Sequence, residues 1–346
     1  MRVYCPKPLD SQQLYPLFLF KFAPERKIEG LFKDNLPPNY FEREVEYTDA
    51  PEEADAIILP NNFTFLKDEA QKYIEWYASM GEKLGKPVFV FSCGDHTDAL
   101  KFDSRVNVFR YSLYRSSANP KDICAPTLTE DLGAQGITLR KKGEQPTISF
   151  CGKAGFSSPR ELVASWLKKI KYEVVGILRP AARARIRGVF WRIWSIKALK
   201  GSSSVKTLFI IRKTFSGAQR TIELDPAQAR REFLESLINT DFVLAPKGDG
   251  NYSNRFLEAL SLGRFPVVVD TDCVFPLEET IDYSKIVVRV PMNKLKKIPR
   301  YVRDFHDALT PEEFVARQNL ARAIFEKYLR QDSFFASYFS LRQTQK

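Results

Sequence analysis

The chain has 346 residues, of which 44% are hydrophobic and 27% are charged, and this composition excludes a disordered chain, a fibrous repeat and a small disulfide-stapled protein. No apolar run reaches the roughly 18 residues that a membrane-spanning helix needs, and the N-terminus lacks the apolar stretch of a signal peptide. We therefore expect a cytoplasmic protein of two domains, or one cut from a longer anchored protein.

Cysteine and histidine are too few and too scattered to suggest a disulfide framework or a metal centre. The number of cysteines is odd, no two of them form a C-x-x-C pair, and we expect all of them to be free buried thiols. They are Cys5, Cys93, Cys124, Cys151 and Cys273. With only His96 and His306 available, a catalytic mechanism has to depend mainly on carboxylates, arginines and backbone groups.

The positive charge is concentrated in one segment. The formal net charge is +11, and residues 179–220 carry eleven Lys and Arg side chains and no acidic one. Such an excess attracts anions, so an anionic glycan, a diphosphate or a membrane surface are candidate partners, the last making the protein peripheral to a membrane. Phe190, Trp191 and Trp194 predict an amphipathic helix here, for which a solvated basic face is the simplest role. No RNA- or DNA-recognition motif accompanies the charge, and we expect no nucleic-acid partner.

In chain order, the first part of the sequence alternates between strands and helices. Its strands are apolar runs typical of strands buried on both faces, and this alternation predicts a parallel sheet. The polar, glycine-containing stretch 133–146 is typical of a linker and ends the first domain at residue 143. The predicted elements are strands over 54–60, 85–95 and 106–111 and a helix over 64–84.

A second α/β series follows the linker. Ser158, Pro159 and Glu161 have the pattern of a capping box and begin a helix over 157–170. We expect domains over 1–143 and 144–309, followed by C-terminal helices over 310–346. The other predicted elements are strands over 147–155, 241–246, 265–270 and 286–291 and helices over 225–239, over 253–262 and from Thr310 onward.

Two loops that follow predicted strands combine glycines with a lysine. They are residues 151–155 and residues 246–253. Ligands of open parallel sheets bind at the carboxyl ends of strands, and glycines before a helix N-terminus let the backbone approach a phosphate. Neither loop fits the dinucleotide fingerprint or the P-loop. We expect a phosphate-containing ligand in the second domain, with tight turns and no ligand as the alternative.

Arg255 and Glu258 lie three residues apart on the helix that begins near Ser253, so they share a face. A cation near the helix start suits a diphosphate, and a carboxylate one turn later suits a sugar hydroxyl. The alternative is a surface ion pair that contributes only a few tenths of a kcal/mol, as is usual for exposed pairs.

The stretch 241–276 resembles the signature of the exostosin family of glycosyltransferases, and 147–155 with Arg160 resembles the start of that family's donor domain. The resemblance covers about 145–290, is faint at 85–98, and gives no good match for 179–220. It implies a GT-B fold, which is α/β with two Rossmann-like domains facing a cleft, and we expect the C-terminal helices to cross back. It also implies inverting transfer of a sugar from a nucleotide sugar, usually UDP-linked, to a glycan or polysaccharide, without an essential metal or cofactor.

Transferred residue by residue, the resemblance implies a donor site in which Glu258 holds the ribose hydroxyls. Helix N-termini and Arg255 can stabilise the leaving diphosphate, and the glycine loop and basic side chains nearby complete the predicted site. The residues that match the family are Gly248, Gly250, Asn251, Tyr252, Ser253, Arg255 and Glu258. The others are Gly152, Lys153, Arg160 and Lys247.

The catalytic base is expected in the first domain. Direct displacement at an anomeric carbon needs a base on the acceptor hydroxyl, with a transition state like that of inverting glycoside hydrolysis. Asp95, His96 and Asp98 directly follow a predicted strand, where burial can bring a pKa towards the working pH. The alternatives are a helix cap for Asp95 and a structural role for His96, and Glu52 and Asp103 stay open as other acids.

Asp270-Thr271-Asp272 spells D-x-D, a motif that binds a metal in GT-A glycosyltransferases. We expect no metal site here, because the exostosin resemblance already accounts for the segment.

Two functions other than catalysis compete with sugar transfer. One is an inactive glycan-binding module on the same scaffold, with 179–220 holding an anionic glycan. The other is an interaction protein that uses the Trp/Arg segment on a membrane face.

Overall fold

The computed structural model describes residues 1–23, 46–64, 68–95, 103–212 and 225–343. The chain divides into two compact units, each with one sheet of strands that pair in parallel. This confirms the predicted α/β class with two Rossmann-like units, as expected for a GT-B fold. The first unit comprises Met1–Leu128, Val274–Leu277 and Tyr328–Lys346, and the second comprises Thr129–Cys273 and Glu278–Lys327.

The sheet of the first unit has the strand order β2-β1-β3-β4-β5-β6. Its central strands are continuous apolar runs that are buried along their length, because helices cover both faces of the sheet. The strands are β1 (Arg2–Tyr4), β2 (Glu46–Thr48), β3 (Ala56–Asn62), β4 (Val88–Phe91), β5 (Val106–Arg110) and β6 (Asp122–Cys124). The helices are α1 (Leu19–Phe22), α2 (Asp68–Leu84) and the C-terminal α9 (Gln331–Gln343).

The two faces of this sheet are covered by different parts of the chain. Val88 and Val90 of β4 pack with Ile74 of α2. Side chains alternate along a strand, so Phe91 faces the other side, where its ring centroid lies 6.0 Å from that of Phe335 on α9. The C-terminal helix therefore completes the core of the first unit, as expected for helices that cross back.

The sheet of the second unit has the strand order β11-β10-β9-β7-β8. The chain leaves β7 to form β8 at one edge and then returns to form β9 on the other side of β7, so the strand order reverses between β7 and β9. The strands are β7 (Thr147–Lys153), β8 (Lys206–Arg212), β9 (Phe242–Leu244), β10 (Phe265–Asp270) and β11 (Val288–Pro291). The helices are α3 (Pro159–Leu178), α4 (Gly188–Lys200), α5 (Pro226–Ile238), α6 (Asn254–Ser261), α7 (Ile298–Asp307) and α8 (Pro311–Ile324).

The basic segment is part of this second core. Phe190 and Trp191 of α4 are buried together with the apolar side chains of β7, β9 and β10. The amphipathic helix predicted there is thus a helix, but these apolar side chains face the core and not a partner. The segment also supplies the edge strand β8, which sequence patterning did not predict.

Several element boundaries differ from those predicted. Helix α3 ends eight residues later than expected, and β4 covers only Val88–Phe91 of the predicted 85–95. Residues 129–143 pack with the second unit, where the backbone N–H of Arg140 donates to Gln318 of α8 at 2.9 Å and its Nε donates to Asp241 at 2.7 Å.

The predicted helix caps are present at both helices. The Ser158 hydroxyl accepts from the backbone N–H of Glu161, while the Glu161 carboxylate accepts from Ser157 instead of closing a box. Thr310 and Glu313 form a complete capping box at α8.

All five cysteines are free and buried, which confirms that prediction. No helix in the described ranges is long and apolar enough to cross a bilayer.

Candidate functional site

The carboxyl ends of β7 and β9 separate where the strand order reverses, which is where open α/β sheets bind ligands. The two strands pair only at Ile148–Phe242 and Ser149–Val243. Beyond these pairs, the backbone carbonyl of Cys151 faces the gap between the strands. Its hydrogen-bond donor is a side chain instead of a neighbouring strand.

Arg255 on α6 fills this gap. Its Nε and Nη2 donate to the Cys151 carbonyl at 3.2 and 2.8 Å, and its guanidinium carbon lies 4.9 Å from the centroid of the Phe150 ring. Gly152 has φ +147°, and a Cβ there would overlap Nη2 of Arg255. The glycine predicted from the loop pattern is therefore required for the guanidinium to lie across the strand.

Burial shifts the pKa values of Arg255 and Glu258. It lowers the pKa of Arg255, and the negative charge of Glu258 partly offsets this lowering. One turn later, burial raises the pKa of Glu258, against the lowering effect of Arg255 and Arg230. Within the described ranges, no side chain or backbone group donates a hydrogen bond to the Glu258 carboxylate, so it can accept bonds from a ligand's hydroxyl groups.

Arg192 on α4 is a site residue that the sequence analysis did not single out. Its Nη1 donates to the Lys153 carbonyl at 3.2 Å, and a Cβ on Gly248 would lie 3.5 Å from its Nη2. Among the described residues, nothing accepts a hydrogen bond from its buried Nε–H. Burial and the charge of Arg255 lower its pKa to about 10. The one available signal was its position in the basic segment, which does not show which of eleven cations reaches this loop.

The start of α4 packs against the loop 246–253. Gly188, the first residue of α4, packs so closely against this loop that a Cβ would overlap the carbonyl oxygens of Lys247 and Gly248. Lys247 itself is buried and its Nζ donates to the Ala184 carbonyl at 2.8 Å. The ammonium expected to help the diphosphate is thus bound to a backbone carbonyl, and burial lowers its pKa to about 7.

The remaining residues of the loop 246–253 hold the loop in its conformation. The buried amide of Asn251 accepts from the Thr271 hydroxyl at 2.7 Å and donates to the Thr271 carbonyl at 3.1 Å, which fixes the loop to the end of β10. The backbone N–H of Gly248 donates to the Tyr252 carbonyl at 2.8 Å, with the buried Gly250 between them. Ser253 is the N-cap of α6, yet its hydroxyl makes no capping hydrogen bond.

Lys153 and Arg160 lie at the edge of this group. Lys153 Nζ donates to Ser157 at 2.7 Å and forms an ion pair with Glu161 at 3.3 Å. Arg187 pairs with the same Glu161 and with Asp249, both at 3.5 Å. Arg160 is exposed on the first turn of α3. Lys153 is thus paired with a carboxylate, whereas Arg192 and Arg255 form no ion pair within 4.0 Å in the described ranges.

The candidate bases belong to the first unit. Asp95 is exposed in a bend after β4, whereas His96 and Asp98 lie outside the described residues. The backbone before Asp95 is held by Asn62 of β3, which donates to the Cys93 carbonyl at 2.9 Å and accepts from the Cys93 N–H at 3.0 Å.

The alternative acids named from the sequence differ in their surroundings. Asp103 is bound by Arg105, whose hydrogen bond lowers the pKa of that carboxyl. Glu52 is exposed.

The first aspartate of the D-x-D sequence is engaged with an arginine. Asp270 accepts from Nε of Arg289 at 2.8 Å, and Thr271 is bound to Asn251. Asp272 adopts φ +61° in the turn after β10. Within the described ranges, no group of three or more His, Cys, Asp or Glu residues has the arrangement of a metal site.

A family model of the Exostosin GT47 domain matches residues 178–305. The Exostosin-1 homolog of Caenorhabditis elegans is 33% identical over 101 residues, 29% of this chain and 25% of that protein. Exostosin-1 of Drosophila melanogaster is 30% identical over 99 residues, 29% of this chain and 12% of that protein. The chain thus spans a quarter or less of the length of these curated relatives.

Two solved structures cover nearly the whole chain at low similarity. Anabaena HepE in complex with UDP and glucose has a TM-score of 0.38 and 12% identity, with 100% of this chain and 99% of HepE covered. The lipopolysaccharide outer core galactosyltransferase WaaB has a TM-score of 0.42 and 11% identity, with 98% and 99% covered. The fold class depends on the strand order described above, to which these similarities add no argument.

The family match differs in extent from the resemblance found in the sequence. It begins at residue 178, so the basic segment for which we found no good match lies inside the matched range, together with Arg192, Arg255 and Glu258. Gly152 and Lys153 precede it. Through residues 178–305, the chain is thus similar to the Exostosin GT47 domain and, over about 100 residues, to Exostosin-1 proteins.

Proposed function

We propose that this chain is a glycosyltransferase that takes a sugar from a nucleotide sugar. The observation that carries this proposal is the pair of half-buried guanidiniums, Arg192 and Arg255, at the carboxyl ends of the second sheet and within the range that matches the Exostosin GT47 domain. Two like charges so placed repel each other, and an anion between them removes that repulsion. A diphosphate has the charge and the acceptor oxygens for both.

The surrounding backbone is suited to the same ligand. Gly152 brings the β7 backbone close to Arg255, and α6 begins at Ser253 without a side-chain cap on its first N–H groups. The positive end of a helix dipole favours a bound phosphate. The diphosphate is thus proposed to lie against Arg192, Arg255 and the start of α6.

Glu258 is proposed to bind the ribose hydroxyls of the nucleotide. Its carboxylate is one helical turn beyond Arg255 and accepts no hydrogen bond in the described part of the chain. Because burial already raises its pKa, each hydroxyl that donates to it offsets part of the cost of its charge. We propose UDP as the nucleotide and a glycan or polysaccharide as the acceptor.

The proposed reaction is an inverting displacement. The acceptor oxygen attacks the anomeric carbon while the bond to the diphosphate breaks, and the acceptor proton passes to a base proposed to be Asp95 or His96, with Asp98 as an alternative. Arg192 and Arg255 stabilise the charge that develops on the leaving diphosphate. We propose that no metal is needed, because these cations supply the positive charge and Asp270 is engaged by Arg289.

Calorimetric titration with UDP and with uridine tests the proposed division of roles. We expect Arg192→Gln to weaken UDP binding by about tenfold to a hundredfold, the value of one or two charged hydrogen bonds, and to leave uridine binding unchanged. Glu258→Gln is expected to weaken the binding of both UDP and uridine, because Glu258 is proposed to contact the ribose that the two ligands share. The exposed Glu235→Gln on α5 is the matched control and is expected to change neither.

Other outcomes of the titration redirect the proposal. Binding of GDP in place of UDP keeps the site and changes the donor class. If neither nucleotide binds, with or without manganese, the proposal is wrong. If UDP binds but a panel of UDP-sugars and glycan acceptors releases no UDP, the chain is an inactive glycan-binding module instead.

The base is tested by comparing turnover with binding. We expect Asp95→Asn or His96→Gln to lower the rate of UDP release by at least about a hundredfold, the usual contribution of a general base. UDP affinity should not change, because the base acts on the acceptor. Asp49→Asn, which changes another exposed carboxylate of the first unit, is the control. Full activity in both Asp95→Asn and His96→Gln contradicts the assignment.

A further inference from the structure

Helix α3 carries an apolar face that the described part of the chain does not bury. Its side chains recur at spacings of four and three residues, which places them along one side of the helix. Exposed fractions of 50 to 72% show that the described structure leaves them open to solvent. We name this surface the α3 outer face, and it consists of Val163, Leu167, Ile170, Val174 and Ile177.

The opposite side of α3 already makes the contacts that hold the helix in place. Ser165 and Gly176 are buried, and Ser165 accepts a hydrogen bond from Arg187 at 2.6 Å. Gly176 packs closely against the side chain of Arg183. The α3 outer face therefore plays no part in fixing the helix, and the core gains nothing from its being apolar.

A long, contiguous and exposed apolar surface such as the α3 outer face indicates a binding surface. The five side chains span fourteen residue steps, or about 21 Å at the helical rise of about 1.5 Å per residue. Trp166 and Leu178, exposed by 46% and 88%, extend the surface at its borders.

The charge around the face indicates what it contacts. Lys168 and Lys171 are exposed on one flank of the stripe. Residues 159–212 contain thirteen Lys and Arg side chains and two acidic ones. The net charge of this segment therefore equals the net charge of +11 of the whole chain. Since the excess positive charge lies in the segment that α3 begins, the favoured partner is both apolar and anionic.

We propose that the α3 outer face docks the protein on an anionic lipid bilayer. The helix lies parallel to the membrane, its apolar side chains enter the boundary between headgroups and acyl chains, and the flanking lysines contact anionic headgroups. A second copy of the chain is disfavoured as the occupant, because pairing two of these faces brings two basic segments together. The surface differs from that predicted from the sequence, where Phe190 and Trp191 were the apolar candidates.

Vesicle co-sedimentation of the full chain tests this proposal. We expect binding to vesicles of phosphatidylglycerol and phosphatidylcholine in equal parts, weaker binding as salt rises, and little binding to pure phosphatidylcholine. The triple variant Leu167→Gln, Ile170→Gln, Ile177→Gln is expected to lower the partition coefficient at least tenfold. The matched control changes three exposed apolar residues elsewhere and is expected to bind like the wild type: Trp76→Gln, Leu139→Gln, Ile238→Gln.

Charge reversal separates the two contributions. Lys168→Glu with Lys171→Glu is expected to lower binding to the anionic vesicles at least tenfold, about what two lost headgroup contacts remove. Lys294→Glu with Lys296→Glu makes the same change at two exposed positions before α7, away from α3 in the sequence, and is expected to have a small effect.

Two results overturn the proposal. One is equal lipid binding by the triple variant and its control. The other is a concentration-dependent dimer in sedimentation velocity that the triple variant abolishes, which assigns the face to a second copy. UDP titration of each variant in solution reports the donor site separately, so a failure here is distinguishable from a failure of the proposed glycosyltransferase function.

Discussion

Arg255 shows how one residue links the sheet to the proposed ligand. Its guanidinium satisfies the Cys151 carbonyl where β7 and β9 part, so a backbone group that would otherwise be unpaired is stabilised by a cation. The same cation and Arg192 place two positive charges at the end of β7. Structure and proposed binding thus depend on the same side chain, and removing it is expected to affect both.

Lys247 is a different kind of residue, because its charge is a cost to the fold. Its Nζ is buried and donates to the Ala184 carbonyl, and burial lowers its pKa from 10.5 to about 7. Between these two values the unfolded chain binds a proton that the folded chain lacks. The folded state is therefore favoured as the pH rises through this range.

We expect the free energy of unfolding to increase between pH 7 and 9.5, by at most about 1.4 kcal/mol per pH unit from this group. Lys247→Met removes the titrating group, and its stability curve should be flatter over the same range. Lys294→Met, a change at an exposed lysine, should keep the wild-type slope. Urea denaturation at each pH measures these slopes, and parallel curves for wild type and Lys247→Met contradict the argument.

At the scale of elements, α4 is the piece that assembles the site. It begins at Gly188 against the carbonyls of Lys247 and Gly248, buries Phe190 and Trp191 in the core, and directs Arg192 to the end of β7. The position of the guanidinium is thus set by close packing at the start of the helix.

Gly188→Ala tests this packing. Because the added Cβ overlaps two backbone oxygens, we expect a loss of about 1–3 kcal/mol in stability, typical of overpacking, and weaker UDP binding. Gly201→Ala at the other end of α4 adds the same atom where its nearest neighbour lies 3.4 Å away, and it should cost less than about 1 kcal/mol. Thermal unfolding and UDP titration measure both variants. Equal stability and affinity in the two would show that the loop accommodates the methyl group.

At the scale of the whole molecule, the two units have separate cores built from distant parts of the chain. Phe335, near the C-terminus, packs on Phe91 and Phe109 in the first unit. Phe314, only 21 residues earlier, packs on Phe265 in the second. The proposed donor residues all lie in the second unit.

The two phenylalanines give a matched pair of variants. Phe335→Ala and Phe314→Ala are each expected to lower stability by about 3–5 kcal/mol. Saturating UDP, at about 100 times its dissociation constant, should restore about 2.7 kcal/mol to the unit that binds it. We therefore expect UDP to raise the melting temperature of the Phe314→Ala unit and to leave that of the Phe335→Ala unit unchanged. Equal rescue of both would contradict the assignment of the donor site to the second unit.

The agreement between sequence and structure depends on the range of the interactions involved. Local signals succeeded: buried strands such as 265–270 read as apolar runs, and Thr310 with Glu313 marked a helix start. The edge strands β2, β6 and β8 were missed, since their burial alternates or is partial and depends on a neighbour. The longer α3 was missed because its apolar outer face does not follow the buried pattern of a core helix.

The sequence by itself determined the parallel α/β class, the buried central strands and the glycine loops with Arg255 and Glu258, because these depend on burial patterns and motifs within a few residues. Only the tertiary structure decided that Arg192 lies at the end of β7, that the Lys247 ammonium donates to the Ala184 carbonyl and that the described residues leave the apolar face of α3 in solvent. The physical reason is that each of these depends on which distant segments pack together, as where α4 meets the loop after β9, and no local spacing encodes such a contact.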